Sequence, residues 1–252
     1  MHITVLLYVI LFFAALLAGL VDSIAGGGGL ITIPVLLSAG FPPHMALGTN
    51  KFQASFGSFT SSYNYVKQAD LDLRLAFPGI IFTAIGAGLG ALVVQFVHAE
   101  VLELLIPILL IAILIYTILS PNLGKHETTA TMNRRVFYLV FGFGIGFYDG
   151  FFGPGTGSFW PVAFVLALGY NLVKATGYTK VMNFTSNIIS LIVFWIGGKI
   201  FFLPGIVMAV GQAIGARIGT KLVIDRGVAF IRPVFIAVVL ATTLKLFYDY
   251  FK

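Results

Sequence analysis

The chain has 252 residues, 59% hydrophobic and 10% charged, with a formal net charge of +6 and a mean hydropathy of +1.01; soluble proteins carry about a quarter charged residues, so this composition belongs in lipid and excludes a sizeable soluble domain. The 15 Lys and Arg are scattered between apolar runs, Arg134-Arg135 being their longest block, which speaks for span-end topology signals and phospholipid contact and against nucleic acid. The absence of Cys removes disulfides and thiolate chemistry, and His2, His44, His98 and His126 are too dispersed for a local metal motif.

The first apolar run, 3–21, has no basic region before it, and cleavage behind it would leave a chain starting inside a glycine motif, so it reads as a retained helix and not a signal peptide. Asp22 closes it, and Gly26, Gly27, Gly28 and Gly29 break the helix. The run 30–39 is about half the length a bilayer crossing needs and reads as a half-helix or re-entrant segment. Next come 46–66, which carries Asn50, Lys51, Gln53 and a stripe of serines, then 75–97 and 100–119. A polar stretch, 120–135, precedes the run 136–152 with Asp149, followed by Gly153-Pro154-Gly155-Thr156-Gly157 and a second short run, 158–168. The run 176–197 holds Thr179, Lys180, Asn183 and Asn187, and 202–224 and 229–248 complete the chain.

This order repeats itself. Leu20-Val21-Asp22 with its glycines matches Phe147-Tyr148-Asp149 with Gly153 to Gly157, and Pro34 matches Pro161 at the same spacing. Ala46 through Lys51 matches Ala175 through Lys180, Pro78-Gly79 matches Pro204-Gly205, and Gly86, Gly90 and Ala91 match Gly211, Gly215 and Ala216. The expected architecture is therefore all-α and polytopic, with about eight transmembrane helices plus two short half-helices. It is built from two homologous repeats, 1–119 and 136–252, joined by a polar connector, 120–135, placed in the cytoplasm. Lys and Arg bias favours inverted repeats, whereas segment length favours parallel copies of four spans each, and both arrangements stay open.

Two sets of residues can carry chemistry. Paired glycine breaks expose backbone N–H groups at half-helix N-termini, which attract anions, and secondary transporters place substrate at such paired breaks. Gly26, Gly27, Gly28 and Gly29 in one copy, and Gly153, Gly155, Thr156 and Gly157 in the other, are accordingly candidate substrate contacts; close helix packing is the competing reading. Asp22, Lys51, Asp149 and Lys180 form a repeated Asp/Lys pair inside apolar sequence, where an ionisable group requires a partner or a wet cavity. The lysines are candidates for attracting an anion, with Asn50, Gln53, Thr179, Asn183 and Asn187 beside them, and Asp22 and Asp149 are candidates for ion coupling by proton exchange. The structural alternative pairs Asp22 with Lys51 and Asp149 with Lys180 as static salt bridges. Gly86, Gly90, Gly211, Gly215 and Gly219 read as close helix contacts.

The strings Asp22-Ser-Ile-Ala-Gly-Gly-Gly-Gly-Leu30, Thr49-Asn-Lys-Phe-Gln53, Gly146-Phe-Tyr-Asp-Gly-Phe-Phe-Gly-Pro154 and Gly211-Gln-Ala-Ile-Gly-Ala-Arg217 resemble the sulfite exporter TauE/SafE family of bacterial membrane permeases, and more narrowly its YfcA-like branch. The resemblance spans essentially the whole chain. It implies a multi-pass protein of the bacterial inner membrane that moves sulfite, sulfonates or related sulfur-containing and organic anions, often outward. The sequence is thus expected to be a secondary anion transporter embedded in the lipid bilayer, with a small anionic substrate, no cofactor, no nucleic-acid partner and no enzymatic constellation; homo-oligomerisation stays open. An anion channel and a non-transporting membrane scaffold or assembly factor are the rival classes.

Overall fold

The computed structural model describes residues 4–68, 71–119 and 129–226. Its elements are α1 (Val5–Ala25), α2 (Gly29–Ser38), α3 (Pro43–Gln68), α4 (Leu73–Val94), α5 (Ala99–Leu119) and α6 (Arg134–Phe137). A π-helical turn, Tyr138–Gly142, leads into α7 (Phe143–Phe151), which is followed by α8 (Thr156–Leu168), α9 (Leu172–Ile196) and α10 (Phe202–Arg226).

Local chemistry sets many of the helix ends. The Asp72 carboxylate accepts the Arg74 N–H at 2.9 Å to open α4, and the Asn171 side chain accepts the Lys174 N–H at 2.9 Å to open α9. Gly26 stops α1 in the left-handed region, φ 75°, its N–H donating to the Asp22 carbonyl. Gly169 ends α8 in the same way at φ 68°. Both short helices carry a proline, Pro34 and Pro161.

Helix packing follows a simple order, α1 against α10, α10 against α3, α3 against α9, α9 against α4, and α4 against α7. The central pair, α3 and α9, carries the two polar stripes, which keeps those stripes away from lipid. Small residues make the outer contacts close. A Cβ added to Gly215 would stand 1.9 Å from the Leu16 carbonyl oxygen of α1, and one added to Gly90 would stand 2.1 Å from the Phe147 carbonyl oxygen of α7. Each of these contacts joins a helix of the first half to one of the second. Behind α9, Phe137, Tyr138, Trp160, Phe164, Tyr170 and Tyr178 fill an aromatic core, with the Trp160 and Phe164 rings stacked at 5.3 Å.

The protein is all-α and polytopic, but the count of about eight transmembrane helices does not hold. Among the described residues four helices are long and apolar enough to cross a bilayer: Val5–Ile24, Leu73–Val94, Val173–Ile196 and Phe202–Leu222. The reason lies in what the apolar runs become. The run 46–66 folds into α3, whose 26 residues bury Asn50, Lys51, Gln53 and four serines and are too polar overall. The run 136–152 is divided by the π-helical turn, leaving α7 with 9 residues. The two expected half-helices are α2, with 10 residues, and α8, with 13. The last run, 229–248, and most of the connector 120–135 lie outside the described residues.

Candidate functional site

The polar stripes bring the charged pairs together across the two halves, not within them. Lys51 Nζ on α3 lies 2.7 Å from Asp149 Oδ1 at the end of α7, with side-chain exposures of 1% and 4%. It also donates to the Asp149 backbone carbonyl. The other carboxylate oxygen, Oδ2, accepts the Ser186 hydroxyl of α9. On the other side Lys180 Nζ donates to the backbone carbonyl of Asp22, whereas Asp22 Oδ1 accepts the Gly28 N–H at 3.2 Å and so ties down its own glycine turn. The expected static bridges Asp22–Lys51 and Asp149–Lys180 are thus replaced by a crossed arrangement, because the end of each first helix abuts the polar helix of the opposite half. The arrangement is also unequal. Lys51 has a carboxylate partner, while among the described residues no carboxylate lies within ion-pairing distance of Lys180.

The glycine breaks meet at this crossing. At Gly26, with φ 75°, an added Cβ would fall 2.2 Å from Gly157 Cα, so the two breaks touch backbone to backbone. At Gly153, with φ 101°, it would fall 2.7 Å from Lys51 Nζ and 2.9 Å from Asp149 Oδ1. Helices α2 and α8 start here on Gly28 and Gly155, with no side-chain cap on either. Each N-terminus therefore presents backbone N–H groups and about half a positive charge to the space between them.

That space is a cavity of about 30 Å³. From the first half it is lined by Asp22, Gly26, Gly28, Gly29, Asn50 and Lys51; from the second, by Asp149, Gly153, Gly155, Thr156, Gly157, Asn183 and Asn187. Four expected residues are not in its wall. Gln53 stands behind Asn50, its Nε2 donating to Asn50 Oδ1 at 2.9 Å, and the Thr32 hydroxyl reaches the same oxygen at 2.5 Å. With its oxygen engaged twice, Asn50 is left to offer its Nδ2 hydrogens to the cavity. Thr179 turns its hydroxyl back to the Ala175 carbonyl at 2.8 Å. Lys180 is buried beside Asp22, outside the wall, and Gly27 also lies outside it.

Three participants were not among the expected site residues. Gln212 of α10 and Ala54 complete the wall, and Ser186 holds the Asp149 carboxylate. Gln212 reaches the cavity over Gly57, where an added Cβ would fall 2.4 Å from Gln212 Cγ. The available signal was a lone amide among the glycines of an apolar helix, in a string that otherwise reads as packing. Among the described residues no group of three or more His, Cys, Asp or Glu side chains could hold a metal ion.

Comparison with known proteins places the chain in a family. Probable membrane transporter protein YfcA of Escherichia coli strain K12 is 47% identical over 244 residues, covering 97% of this chain and 91% of that protein. A probable membrane transporter protein of Haemophilus influenzae is 42% identical over 249 residues, 99% of this chain and 98% of its own length. Probable membrane transporter protein YdhB of Bacillus subtilis is 23% identical over 222 residues, 86% of this chain and 89% of its own. No solved structure matches the chain. The family description sulfite exporter TauE/SafE matches residues 11–246. With that match, the high identity to membrane transporters and the apolar crossing helices, the chain belongs to the sulfite exporter TauE/SafE family, as a multi-pass transporter of the bacterial inner membrane.

Proposed function

We propose that the protein is a secondary transporter of a small anion, of the sulfite or sulfonate class, and that the cavity between the glycine breaks is its substrate site. One observation carries the reading: two uncapped half-helix N-termini, one from each half, converge with Lys51 on a single buried polar cavity. In this reading 1–119 and 136–252 are the two moving repeats, 120–135 connects them, and no catalytic step or cofactor takes part.

Lys51 and Asp149 meet at this cavity as a closed ion pair, so they must separate for the ammonium to serve an anion. Protonation of Asp149 releases the Lys51 ammonium to the anion, which couples proton and anion movement; Asp22, on the opposite break, is the second coupling group. Proteoliposomes carrying the protein should show saturable sulfite flux, counterflow, and acceleration by a pH gradient. Flux that neither saturates nor exchanges would identify a channel, and absence of flux for every small anion would identify a scaffold. Gradient-driven flux retained after Asp22→Asn and Asp149→Asn together would remove the coupling assignment.

A further inference from the structure

The two copies of the break hold the same pair of charged residues in two different settings. Asp149 has given its carboxylate to its neighbours: Oδ1 lies 2.7 Å from Lys51 Nζ, and Oδ2 accepts the Ser186 hydroxyl. Asp22 keeps its carboxylate on its own turn. Its Oδ1 accepts the Gly28 N–H at 3.2 Å, and a Cβ added to Gly28 would stand 2.9 Å from Asp22 Cβ. The matching amide of the second half, the Gly155 N–H, receives no side-chain oxygen among the described residues. Lys180, 1% exposed, is left with the Asp22 backbone carbonyl. One neutral acceptor does not offset the desolvation of a buried ammonium. The second half shows what the missing partner is, because Lys51 holds both the carbonyl and the carboxylate of a single residue, Asp149. Lys180 already holds the Asp22 carbonyl, so a turn of the Asp22 side chain away from Gly28 brings its carboxylate to the same ammonium. The observed settings have a local cause: Ser186 secures Asp149 on Lys51, whereas the matching position in α3 is Gly57, which has no hydroxyl to offer.

We propose that Lys180 is the counter-ion of Asp22 in the oppositely facing state of the transporter, and that transport exchanges the two settings. As Lys51 and Asp149 part, the Asp149 carboxylate passes to the Gly155 N–H; at the other break, Asp22 leaves the Gly28 N–H for Lys180. One buried ion pair opens while its counterpart closes, so neither state lacks a closed pair to offset the one it has opened. A repeat that displays both settings of one element in a single chain supplies the two-state device that alternating access needs. Lys180 lies outside the cavity wall, so it is a positioning residue for the change of state and takes no part in holding the anion. The assignment rests on the transporter reading and supplies its change of state.

The chain has no cysteine, so one placed at Ala54, in the cavity wall, reports which side of the membrane reaches the site. The reagent is sulfonatoethyl methanethiosulfonate, which does not cross membranes, applied to right-side-out and to inverted membrane vesicles. Ala54→Cys alone should be labelled from both sides, because both states are visited. Adding Lys180→Met removes the pair that offsets the opening of Lys51 and Asp149. Labelling should then fall at least about tenfold from one side and hold from the other, and sulfite flux should fall by a similar factor. Sulfite binding, read as thermal stabilisation of the purified protein, should stay as in the parent. Adding Lys51→Met instead should move the loss of labelling to the opposite side, a reversal that damage to packing would not produce. Labelling of the Lys180→Met protein from both sides, or loss from the same side in both lysine variants, overturns the proposal and leaves the transporter reading standing. If Ala54→Cys itself is labelled from one side only and carries no flux of any small anion, the transporter reading falls, and this proposal with it.

Discussion

The crossed ion pair offers the sharpest test of how the two halves are held together. Lys51 Nζ and Asp149 Oδ1 are 2.7 Å apart and almost wholly buried. At that separation an effective dielectric constant of about 20 gives a gross attraction of about 6 kcal/mol, most of which offsets the desolvation of two charges. The net worth of the pair is therefore small, but removal of one member leaves a charge stranded at a cost of about 3–5 kcal/mol. Lys51→Met strands the carboxylate with only the Ser186 hydroxyl, and Asp149→Asn strands the ammonium with only the backbone carbonyl. Each single variant should lose about 3–5 kcal/mol, and the double variant should recover to within about 2 kcal/mol of wild type. The assay is reversible unfolding of the purified protein in mixed micelles, run as a double-mutant cycle. A parallel cycle of Lys51→Met with Asp22→Asn should show a much smaller coupling. Additive losses in the first cycle, or a larger coupling in the second, would refute the crossed pairing and restore the pairing within each half.

Other substitutions separate stability from transport. Lys180→Met should leave stability unchanged or raised, because it removes a buried ammonium held by one backbone carbonyl, and should leave sulfite binding in place, because Lys180 lies outside the cavity wall; loss of folded protein would show Lys180 to be a structural anchor. Gly153→Ala combines a left-handed φ of 101° with a contact 2.7 Å from Lys51 Nζ and should lower stability by at least about 1–2 kcal/mol, read as a fall in melting temperature. Thr32→Val deletes the hydroxyl that reaches Asn50 Oδ1 at 2.5 Å, with an expected cost of about 1 kcal/mol and weaker sulfite binding as Asn50 loses its orientation. Gly215→Leu would drive a side chain into the Leu16 carbonyl, 1.9 Å from the added Cβ, and should lower the yield of folded protein in detergent; a full yield would show that α1 and α10 can part.

The candidate site was legible where its demands are local. Glycine at positions that need a left-handed backbone or a backbone-to-backbone contact, such as Gly26 and Gly153, stands out in an apolar chain because few other residues can occupy such positions. Lys51 and Asp149 stood out because ionisable groups are costly in lipid. Helix periodicity likewise puts Lys180, Asn183 and Asn187, spaced i, i+3, i+7, on one face. It could not say that Thr179 turns back to its own helix, that Gln53 serves Asn50 from behind, or that Gln212 enters over Gly57, because these depend on which helix lies opposite. The transmembrane count failed for a related reason. Apolar length does not distinguish a lipid-facing span from a polar helix such as α3, shielded by its neighbours, or from a run divided by a π-helical turn.

By itself the sequence determined that the chain lives in lipid, that it is helical, that it repeats one pattern of break and charge, and where its backbone must bend. Those properties follow from composition and from the conformational limits of single residues. Only the tertiary structure decided that each half completes the other: Lys51 pairs with Asp149, Lys180 caps the end of α1 at Asp22, and both helix breaks open onto one cavity. Hydrophobic periodicity shows which face of a helix is buried, but not which partner it is buried against, and in this protein the partner residues lie about a hundred positions or more away in the chain.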